Sequence, residues 1–363
     1  MTHASMLAIG VDGGASGVRA LAVCRRADGL LEAAGEVARC DHEPFDATDF
    51  VAQRAEAADP RLADVEIEAA RERVRATADV VAAAADAAKG SRRIALGICW
   101  PGQKSADGRG IVVMRNGPRD PAFLDQLEPE LAARGIELAA PIPRLASDGV
   151  TGALGERWAA LGGMRDVLNA LYFAGGSGLA ESLLVAGRVR ALDELTPPVP
   201  KAFELRIPAW RTTLKDLDRG LAVYEDVLSP GRWSPPASHV HRVRQMGEAR
   251  GHVDWSIAVR HDPERTSSTL HMAAMALVRY IQDRMQRLRE QAGVVPERAV
   301  VGARLGALIA MPETREMLHD RIVEHLRAAG LPDDFVRAST LLEAPCFGAA
   351  ALALGLQDEA CPS

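Results

Sequence analysis

Residues 9–19 read IGVDGGASGVR, and the interpretation of the whole chain depends on this stretch. Apolar residues flank a cluster of glycines, which predicts two buried strands joined by a tight turn. The stretch also contains a carboxylate, Asp12, and a hydroxyl, Ser16, together with three glycines that expose backbone amides: Gly13, Gly14 and Gly17. Such a turn either binds phosphate through its amides or simply connects two strands. The stretch alone leaves both interpretations open.

The composition of the chain is that of a globular protein with a large core. It has 363 residues, 48% of them hydrophobic, and its length predicts two domains. A net charge of −6 argues against a nucleic-acid partner, because binding to a phosphate backbone depends on clustered cations. No apolar run approaches the roughly 20 residues of a membrane span. Five scattered cysteines predict a reducing compartment, so we expect a cytoplasmic protein without a membrane partner.

A second glycine cluster follows another predicted strand. Residues 174–182 read AGGSGLAES, between a strand predicted over 167–174 and a strand predicted over 183–185. The unit of strand, glycine turn and strand therefore occurs twice, as expected of two duplicated halves. Phosphate-transfer folds built from two halves use two such hairpins to hold nucleotide phosphates. The repetition favours the phosphate interpretation of the first turn.

A polar pair stands at the end of a third predicted strand. Residues 142–146 form a short apolar segment that ends at Ser147 and Asp148, and a helix is predicted over 149–161. Sites in α/β folds are found at such strand ends. Asp148 is placed to accept a proton from an attacking hydroxyl, and an Asp at this position is also a favoured helix N-cap. The two roles are compatible.

Periodicity and breaker residues predict the remaining elements. Residues 190–265 interrupt the pattern with clustered prolines and three of the five tryptophans. Outside that region we predict helices over 62–89, 122–134, 267–293, 313–330 and 347–356 and strands over 93–100 and 299–301.

In order and content these segments resemble the sugar kinases of the ROK family, within the actin-like ATPase superfamily. Asp12, Gly14, Ser16 and Arg19 match the family's first phosphate motif, D-x-G-x-T/S-x-x-R, and SDGVTGALGE at 147–156 resembles its N-D-A-N-A-A-A-L-G-E segment. Four further segments resemble the family's substrate segment, second phosphate loop, adenosine-side glycines and closing helix: CWPGQKSADGRGIVVMRNGPRD at 99–120, GSGLAESLLVAGRV at 176–189, ERAVVGARLGALIA at 297–310 and FGAAALAL at 347–354.

The resemblance implies an α/β protein with a two-domain actin-like ATPase (ribonuclease H-like) fold. Each domain would hold a mixed sheet flanked by helices, with the active cleft between the domains. We expect an N-terminal domain at 1–140, on which a closing helix at 345–358 packs, and a C-terminal domain at 141–344. The divergent substrate region, 190–265, belongs to the second domain.

The resemblance also implies ATP and Mg²⁺ as cofactors, a small polyol as substrate and a homodimer. Asp148 would be the general base and Asp12 would hold Mg²⁺ through water. The expected cofactor-binding residues are Asp12, Gly13, Gly14, Ser16, Arg19, Gly176, Ser177, Gly178 and Gly302. The expected substrate-binding residues are Pro101, Gly102, Asn116, Ser147, Asp148, Glu248 and His252.

The chain departs from the family pattern at several points. The Asn before the catalytic Asp is Ser147, the second phosphate loop is followed by Glu181, and Arg304 follows the expected adenosine-side glycine. A Glu near ATP phosphates repels them unless it points away or meets a cation. The family's Glu-x-Gly-His sugar clamp does not follow the second loop, and GEARGH at 247–252 is the candidate replacement. Because residues 190–265 contain no cysteine, no zinc is expected there.

These observations predict an ATP-dependent carbohydrate kinase. The missing clamp favours an altered sugar or a cyclitol over plain glucose. The alternative is a non-catalytic ROK-like protein that senses a ligand or serves a partner, which Glu181 and Arg304 favour. A polyphosphate donor would need a basic channel, of which the acidic chain gives little sign. A repressor is disfavoured because the first predicted strand begins within ten residues of Met1.

Overall fold

A computed structural model describes most of the chain. The described residues are 7–43, 45, 50–89, 92–115, 117–176, 178–206, 223–230, 263–359 and 361. Four of the predicted site residues lie outside them: Asn116, Ser177, Glu248 and His252. Among the described helices, none combines the length and the apolar character needed to cross a membrane.

The elements alternate along the chain as expected of an α/β protein. The described strands are β1 (Ala8–Gly13), β2 (Gly17–Arg25), β3 (Leu31–Ala33), β4 (Ala38–Asp41), β5 (Arg93–Cys99), β6 (Gln103–Lys104), β7 (Ile111–Val113), β8 (Glu137–Leu138), β9 (Ala170–Gly175), β10 (Leu179–Val185), β11 (Arg188–Arg190), β12 (Arg298–Gly302) and β13 (Val336–Ala338). The described helices are α1 (Phe50–Ala55), α2 (Asp64–Ala87), α3 (Phe123–Ala133), α4 (Asp148–Trp158), α5 (Tyr224–Leu228), α6 (Pro263–Ala292), α7 (Ala303–Ala310), α8 (His319–Ala328) and α9 (Ala344–Ala353).

The chain divides into two compact units. The division falls between Arg165 and Asp166, and the chain returns to the first unit at Glu343. The closing helix α9 thus lies in the first unit. Residues 141–165 also lie there, whereas the sequence placed them in the second domain. The reason is the packing of α4 on α9, which is so close that a Cβ on Gly155 would stand 1.9 Å from the carbonyl oxygen of Ala344.

The two units contain sheets of the same design. The first sheet has the strand order β3-β2-β1-β5-β8, with β4 also paired to β2, and the second has the order β11-β10-β9-β12-β13. In each, an antiparallel three-stranded meander continues into two parallel strands. The matching topology is the internal duplication that the two glycine turns indicated.

The sheet of the first unit is covered on both faces. On one face Ile9 and Val11 of β1 join a hydrophobic core with side chains of α2 and α3. On the other face Gly10 of β1 and Gly97 of β5 are register partners. A Cβ on Gly10 would lie 1.7 Å from the carbonyl oxygen of Cys346, so the backbone of α9 rests directly on the strands. The start of α9 is thereby fixed beside the end of β1.

The core of the second unit joins its sheet to the long helix α6. Leu171 and Phe173 of β9 pack with Leu277 and Ile281 of α6 in one buried cluster. This helix confirms the prediction over 267–293 and begins four residues earlier.

Two predicted elements differ in the structure. Residues 142–146 form no strand and make a single parallel bridge, from Ala146 to Cys99. The helix predicted over 313–330 begins only at His319, the first residue of α8. The hydroxyl of Thr314 donates to the carbonyl oxygens of Leu308 and Met311, and such local side-chain bonds compete with helical pairing.

Candidate active site

A row of polar side chains crosses the first sheet at the end of its parallel strands. Cys99 of β5, Asp12 of β1, Arg19 of β2 and Arg39 of β4 are successive register partners. Directly paired residues point to the same face of a sheet. Asp12 lies two positions after Gly10, so the row lies on the face that α9 covers. The hairpin predicted from residues 9–19 therefore brings Asp12 and Arg19 into contact.

Arg19 is held between two carboxylates. Its Nη2 donates to Asp12 Oδ2, and its Nη1 lies 3.0 Å from Glu343 Oε2. Burial disfavours the charged guanidinium of Arg19 and lowers its pKa. The negative charges of Asp12 and Glu343 outweigh this effect and hold the pKa of Arg19 above its usual value. Glu343 immediately precedes α9 and was not predicted from the sequence. The only available signal was an acidic residue at the start of the closing helix.

Asp12 has a mostly buried carboxylate with an elevated pKa. Burial raises the pKa of Asp12, Arg19 lowers it, and the negative charge of Asp148 raises it further. The thiol of Cys99 lies 3.6 Å from Asp12 Oδ1. Burial also raises the pKa of Cys99 well above its usual value, so the thiol stays protonated and donates to the carboxylate. Asp12 is thus bound on both oxygens by groups of the protein.

Asp148 opens helix α4 beside the same row. Ser147 occupies the N-cap position without a side-chain cap, and Asp148 is the first helical residue. Its Oδ1 accepts the backbone N–H of Gly149 at 2.9 Å. The carbonyl oxygen of Ala146 accepts the backbone N–H of Trp100 at 3.1 Å, which fastens the segment to the end of β5. The structure therefore places two carboxylates, those of Asp12 and Asp148, within electrostatic reach of each other.

The predicted substrate segment begins where β5 ends. Gly102, after the half-buried Pro101, has a φ of +94°, and a Cβ there would lie 2.4 Å from the carbonyl oxygen of Val113. Lys104 Nζ donates to the carbonyl oxygens of Trp100 and Gly102 at 2.6 and 2.8 Å. Sequence reasoning did not single out Lys104, which fixes the shape of this turn.

The glycines of the first loop serve different purposes. A Cβ on Gly13 would stand 2.0 Å from the ring of Trp100, so a side chain there would displace the indole. Gly14 is less restricted, since a Cβ would meet only the carbonyl oxygen of Gly17 at 3.5 Å. Ser16 lies in the loop just before β2, and it is exposed. Packing therefore explains Gly13 by itself, whereas a binding role remains the proposed reason for Gly14.

The second glycine loop joins β9 to β10. The backbone N–H of Gly176 donates to the carbonyl oxygen of Gly178 at 2.8 Å, so that amide is engaged within the loop. A Cβ on Gly176 would meet nothing within 4 Å. Gly302, at the end of β12, pairs with Ala174. The structure thus brings the predicted Gly176, Gly178 and Gly302 to one edge of the second sheet.

Glu181 is buried and paired with a cation. Tyr280 and Arg284 of α6 donate to its Oε2, and the backbone N–H of Ala202 donates to its Oε1 at 2.9 Å. The distance from Arg284 Nη2 to Glu181 Oε2 is 3.1 Å, and both side chains are almost fully buried. Burial raises the pKa of Tyr280 well above its usual value. Of the two alternatives for Glu181, pointing away or meeting a cation, the structure shows the second, with Arg284 as the cation.

The residue after Gly302 has an unusual backbone conformation. Ala303 has a φ of +53°, in the left-handed region that glycine favours. The family resemblance leads us to expect a second glycine here. Ala303 thus has a conformation that a glycine would adopt more readily than an alanine.

A magnesium ion fits the first-unit edge by its chemistry. The described residues contain no group of three or more His, Cys, Asp or Glu placed to hold a metal ion. Mg²⁺ keeps several waters and needs only one or two protein carboxylates together with phosphate oxygens. Asp12 and Asp148 provide two such carboxylates, and the charge of Asp148 disfavours the charged form of Asp12. A cation beside them would relieve this repulsion.

The solved structures similar to this chain include sugar kinases and a transcriptional regulator. A ROK-family glucokinase from Streptomyces griseus, in complex with glucose and AMPPNP, is 17% identical with a TM-score of 0.56, over 96% of this chain and 99% of that one. A ROK hexokinase from Thermus thermophilus is 18% identical with a TM-score of 0.54, over 97% of both chains. A ROK-family transcriptional regulator, a homologue of the E. coli MLC protein, is 16% identical with a TM-score of 0.58, over 99% of this chain and 80% of that one.

The similarity to these proteins is one of fold. No protein-family model and no curated protein matches the sequence. At identities below 20% the solved structures establish an α/β architecture with mixed sheets flanked by helices, as predicted.

Proposed function

We propose, from the fold that this chain shares with ROK-family sugar kinases, that it transfers a phosphoryl group from ATP to a hydroxyl of a sugar or sugar-like polyol. The observation that carries the proposal is that Asp12, at the end of β1, and Asp148, at the start of α4, lie within electrostatic reach of each other, beside the loop that resembles the first phosphate motif. Phosphoryl transfer needs a base for the attacking hydroxyl and groups that balance phosphate charge. These residues offer both.

In this proposal Asp148 is the general base. Its carboxylate sits at the first position of α4, held by the backbone N–H of Gly149. One oxygen of a carboxylate so held is fixed, and the other is left to accept a proton from the acceptor hydroxyl. The short side chain of Ser147 leaves more room beside the base than the Asn of the family pattern. That difference supports an altered sugar or a cyclitol as the acceptor.

Asp12 and Arg19 would help to neutralise the negative charge of the phosphate groups of the donor. Mg²⁺ bound to the nucleotide supplies charge neutralisation when present, and Asp12 would hold it through water. Arg19 already carries its charge between two carboxylates, so phosphate oxygens would compete with Asp12 and Glu343 for its N–H groups. We propose contacts to the remaining phosphates and the adenosine from Gly176, Gly178 and Gly302. We also propose that the protein is cytoplasmic and that it forms a homodimer. Light scattering tests the proposed homodimer.

ADP release from Mg-ATP across hexoses, amino sugars and cyclitols tests the proposal. The parent protein is compared with Asp148→Asn and with Asp79→Asn, which makes the same change at an exposed carboxylate of α2. We expect acceptor-dependent release in the parent and in Asp79→Asn, lowered by two or more orders of magnitude in Asp148→Asn. Absence of both ATP binding and ADP release would contradict the proposal.

The second candidate is a ligand-sensing or partner protein that has lost catalysis. The engaged amide of Gly176 favours it, because a loop that bonds to itself offers fewer donors to phosphate. A regulator with this fold is also consistent with it. Glu181 no longer favours it, since Arg284 compensates its charge. A ligand that binds without turnover and without nucleotide would support this candidate.

A further inference from the structure

Arg119, near the end of the predicted substrate segment, is bound by a buried carboxylate of helix α2. Its Nε donates to Glu66 Oε1 and its Nη2 to Glu66 Oε2, each at 2.9 Å. The same Nη2 donates to the carbonyl oxygen of Arg61 at 2.9 Å, and the backbone N–H of Arg119 donates to Glu66 Oε1 at 2.9 Å. Glu66 is 1% exposed and Arg119 is 2% exposed. One buried carboxylate therefore binds both the side chain and the backbone of Arg119.

A second buried side chain binds the same part of the substrate segment. Gln53 of α1 is 1% exposed, and its Oε1 accepts the backbone N–H of Met114 at 2.8 Å. The backbones of Ile111 and Asp120 exchange two hydrogen bonds, of 2.7 and 2.9 Å, so the two ends of this stretch are also paired. Side chains of two different helices thus hold two backbone amides of the substrate segment.

This arrangement orients the backbone more strictly than an exposed ion pair would. A carboxylate that receives two N–H groups of one guanidinium is fixed in orientation as well as in position. Because Glu66 also receives the backbone N–H of Arg119, that orientation is imposed on the chain itself. Along the sequence, Asn116 stands between the two anchored amides. Asn116 is an expected substrate-binding residue and lies outside the described residues.

The two anchoring side chains are distinct from the groups proposed to bind the donor. Gln53 and Glu66 belong to α1 and α2, whereas Asp12 and Arg19 belong to the row of polar residues on β1 and β2. A binding segment that shifts by a fraction of its contact distance loses affinity for its ligand, even when the change that moves it is remote from that ligand. Loss of the anchors should therefore act on the acceptor and not on the nucleotide.

We infer that Gln53 and Glu66 are positioning residues that set the affinity for the acceptor by fixing the substrate segment. The inference rests on the proposed function, because it takes the substrate segment to bind the acceptor. It gives α1 and α2, which contain none of the expected site residues, a role in acceptor recognition.

The KM of the acceptor and the Kd of Mg-ATP, measured in the full chain, test the inference. The first variant combines Glu66→Met with Arg119→Met, which replaces the buried pair by neutral side chains of similar volume and leaves no charge unpaired. The second variant, Gln53→Met, removes the acceptor for the amide of Met114. The KM comes from ADP release with the hexose, amino sugar or cyclitol that is most active in the parent protein. The Kd comes from calorimetric titration without acceptor.

Two controls separate positioning from a loss of charge or of stability. Glu130→Met with Arg134→Met makes the same two changes at an ion pair of the same unit, at the end of α3. Val81→Ala removes buried methyl groups of α2 at a point about 22 Å along the helix from Glu66. Its effect is to lower the stability of the same unit from a distant part of the helix.

We expect the KM of the acceptor to rise about tenfold in the double variant and about threefold in Gln53→Met, with the Kd of Mg-ATP within about twofold of the parent value. Both controls should keep the KM within about twofold of the parent value. The inference is overturned if the folded variants keep the parental KM, or if KM and Kd rise together.

Circular dichroism establishes that each protein is folded. If the double variant does not fold, Gln53→Met decides alone, and an unchanged KM in that variant overturns the inference. A folded parent protein without acceptor-dependent ADP release contradicts the proposed function, and the inference fails with it. The two failures are therefore distinguished by the behaviour of the parent protein.

Discussion

Replacing Arg284 by Met is expected to destabilise the second unit strongly. The substitution removes the cation that compensates Glu181 and leaves the carboxylate with Tyr280 and the amide of Ala202 as its partners. Arg284 is 1% exposed in its side chain and Glu181 is 7% exposed, so water does not replace the lost charge. Breaking a buried pair on one side costs about 3–5 kcal/mol. In a unit of this size we expect a fall in Tm of roughly 10 °C.

The double variant Glu181→Gln with Arg284→Met separates charge from packing. Gln retains an acceptor for the amide of Ala202 and carries no charge, so the pair is replaced by neutral side chains of similar volume. Such replacements are often close to neutral in stability. Thermal unfolding followed by circular dichroism is the assay, with Arg279→Met, at an exposed position of α6, as the control. The reasoning is refuted if Arg284→Met costs less than about 1 kcal/mol, or if the double variant is no more stable than the single one.

Two further predictions concern stability. Ala303→Gly removes the cost of holding an alanine in the left-handed conformation, about 1–2 kcal/mol, and adds a backbone-entropy cost of roughly 0.4–1 kcal/mol. We therefore expect the Tm of Ala303→Gly to be equal to or higher than that of the parent protein. A clear fall in Tm would contradict this prediction. Burial raises the pKa of Asp120 to about 6, with its Oδ2 unpartnered among the described residues. The folded-state pKa lies above the unfolded value, so the contribution of this group is fully present below pH 4 and is lost as the pH rises through 6. Asp120→Asn should therefore gain Tm relative to the parent between pH 4.5 and pH 7, and equal profiles would refute the assignment.

The hairpin shows what the sequence was able to predict. Apolar residues on both sides of the glycine cluster predicted β1 and β2, and the register of the hairpin places Asp12 opposite Arg19. Asp148 was recognised from its position between an apolar segment and a helix. These inferences depend on residues close together in the chain, where spacing determines contact.

The contacts that sequence reasoning missed depend on tertiary packing. Glu343 reaches Arg19 because the backbone of α9 rests on Gly10, and no local pattern reports that approach. Arg284 compensates Glu181 from a helix about 100 residues further along the chain. Gly13 was assigned to phosphate binding by its type alone, although the ring of Trp100 already requires a glycine there.

The central claim is that Asp148 is the base of an ATP-dependent kinase, and the rate of phosphate ester formation tests it most directly. The ester formed from Mg-ATP and an active acceptor is followed by ³¹P NMR in the parent protein, Asp148→Asn and Asp79→Asn. The account predicts ester in the parent and in Asp79→Asn, and a rate at least 100-fold lower in Asp148→Asn. Ester formation by Asp148→Asn at the parental rate would contradict it.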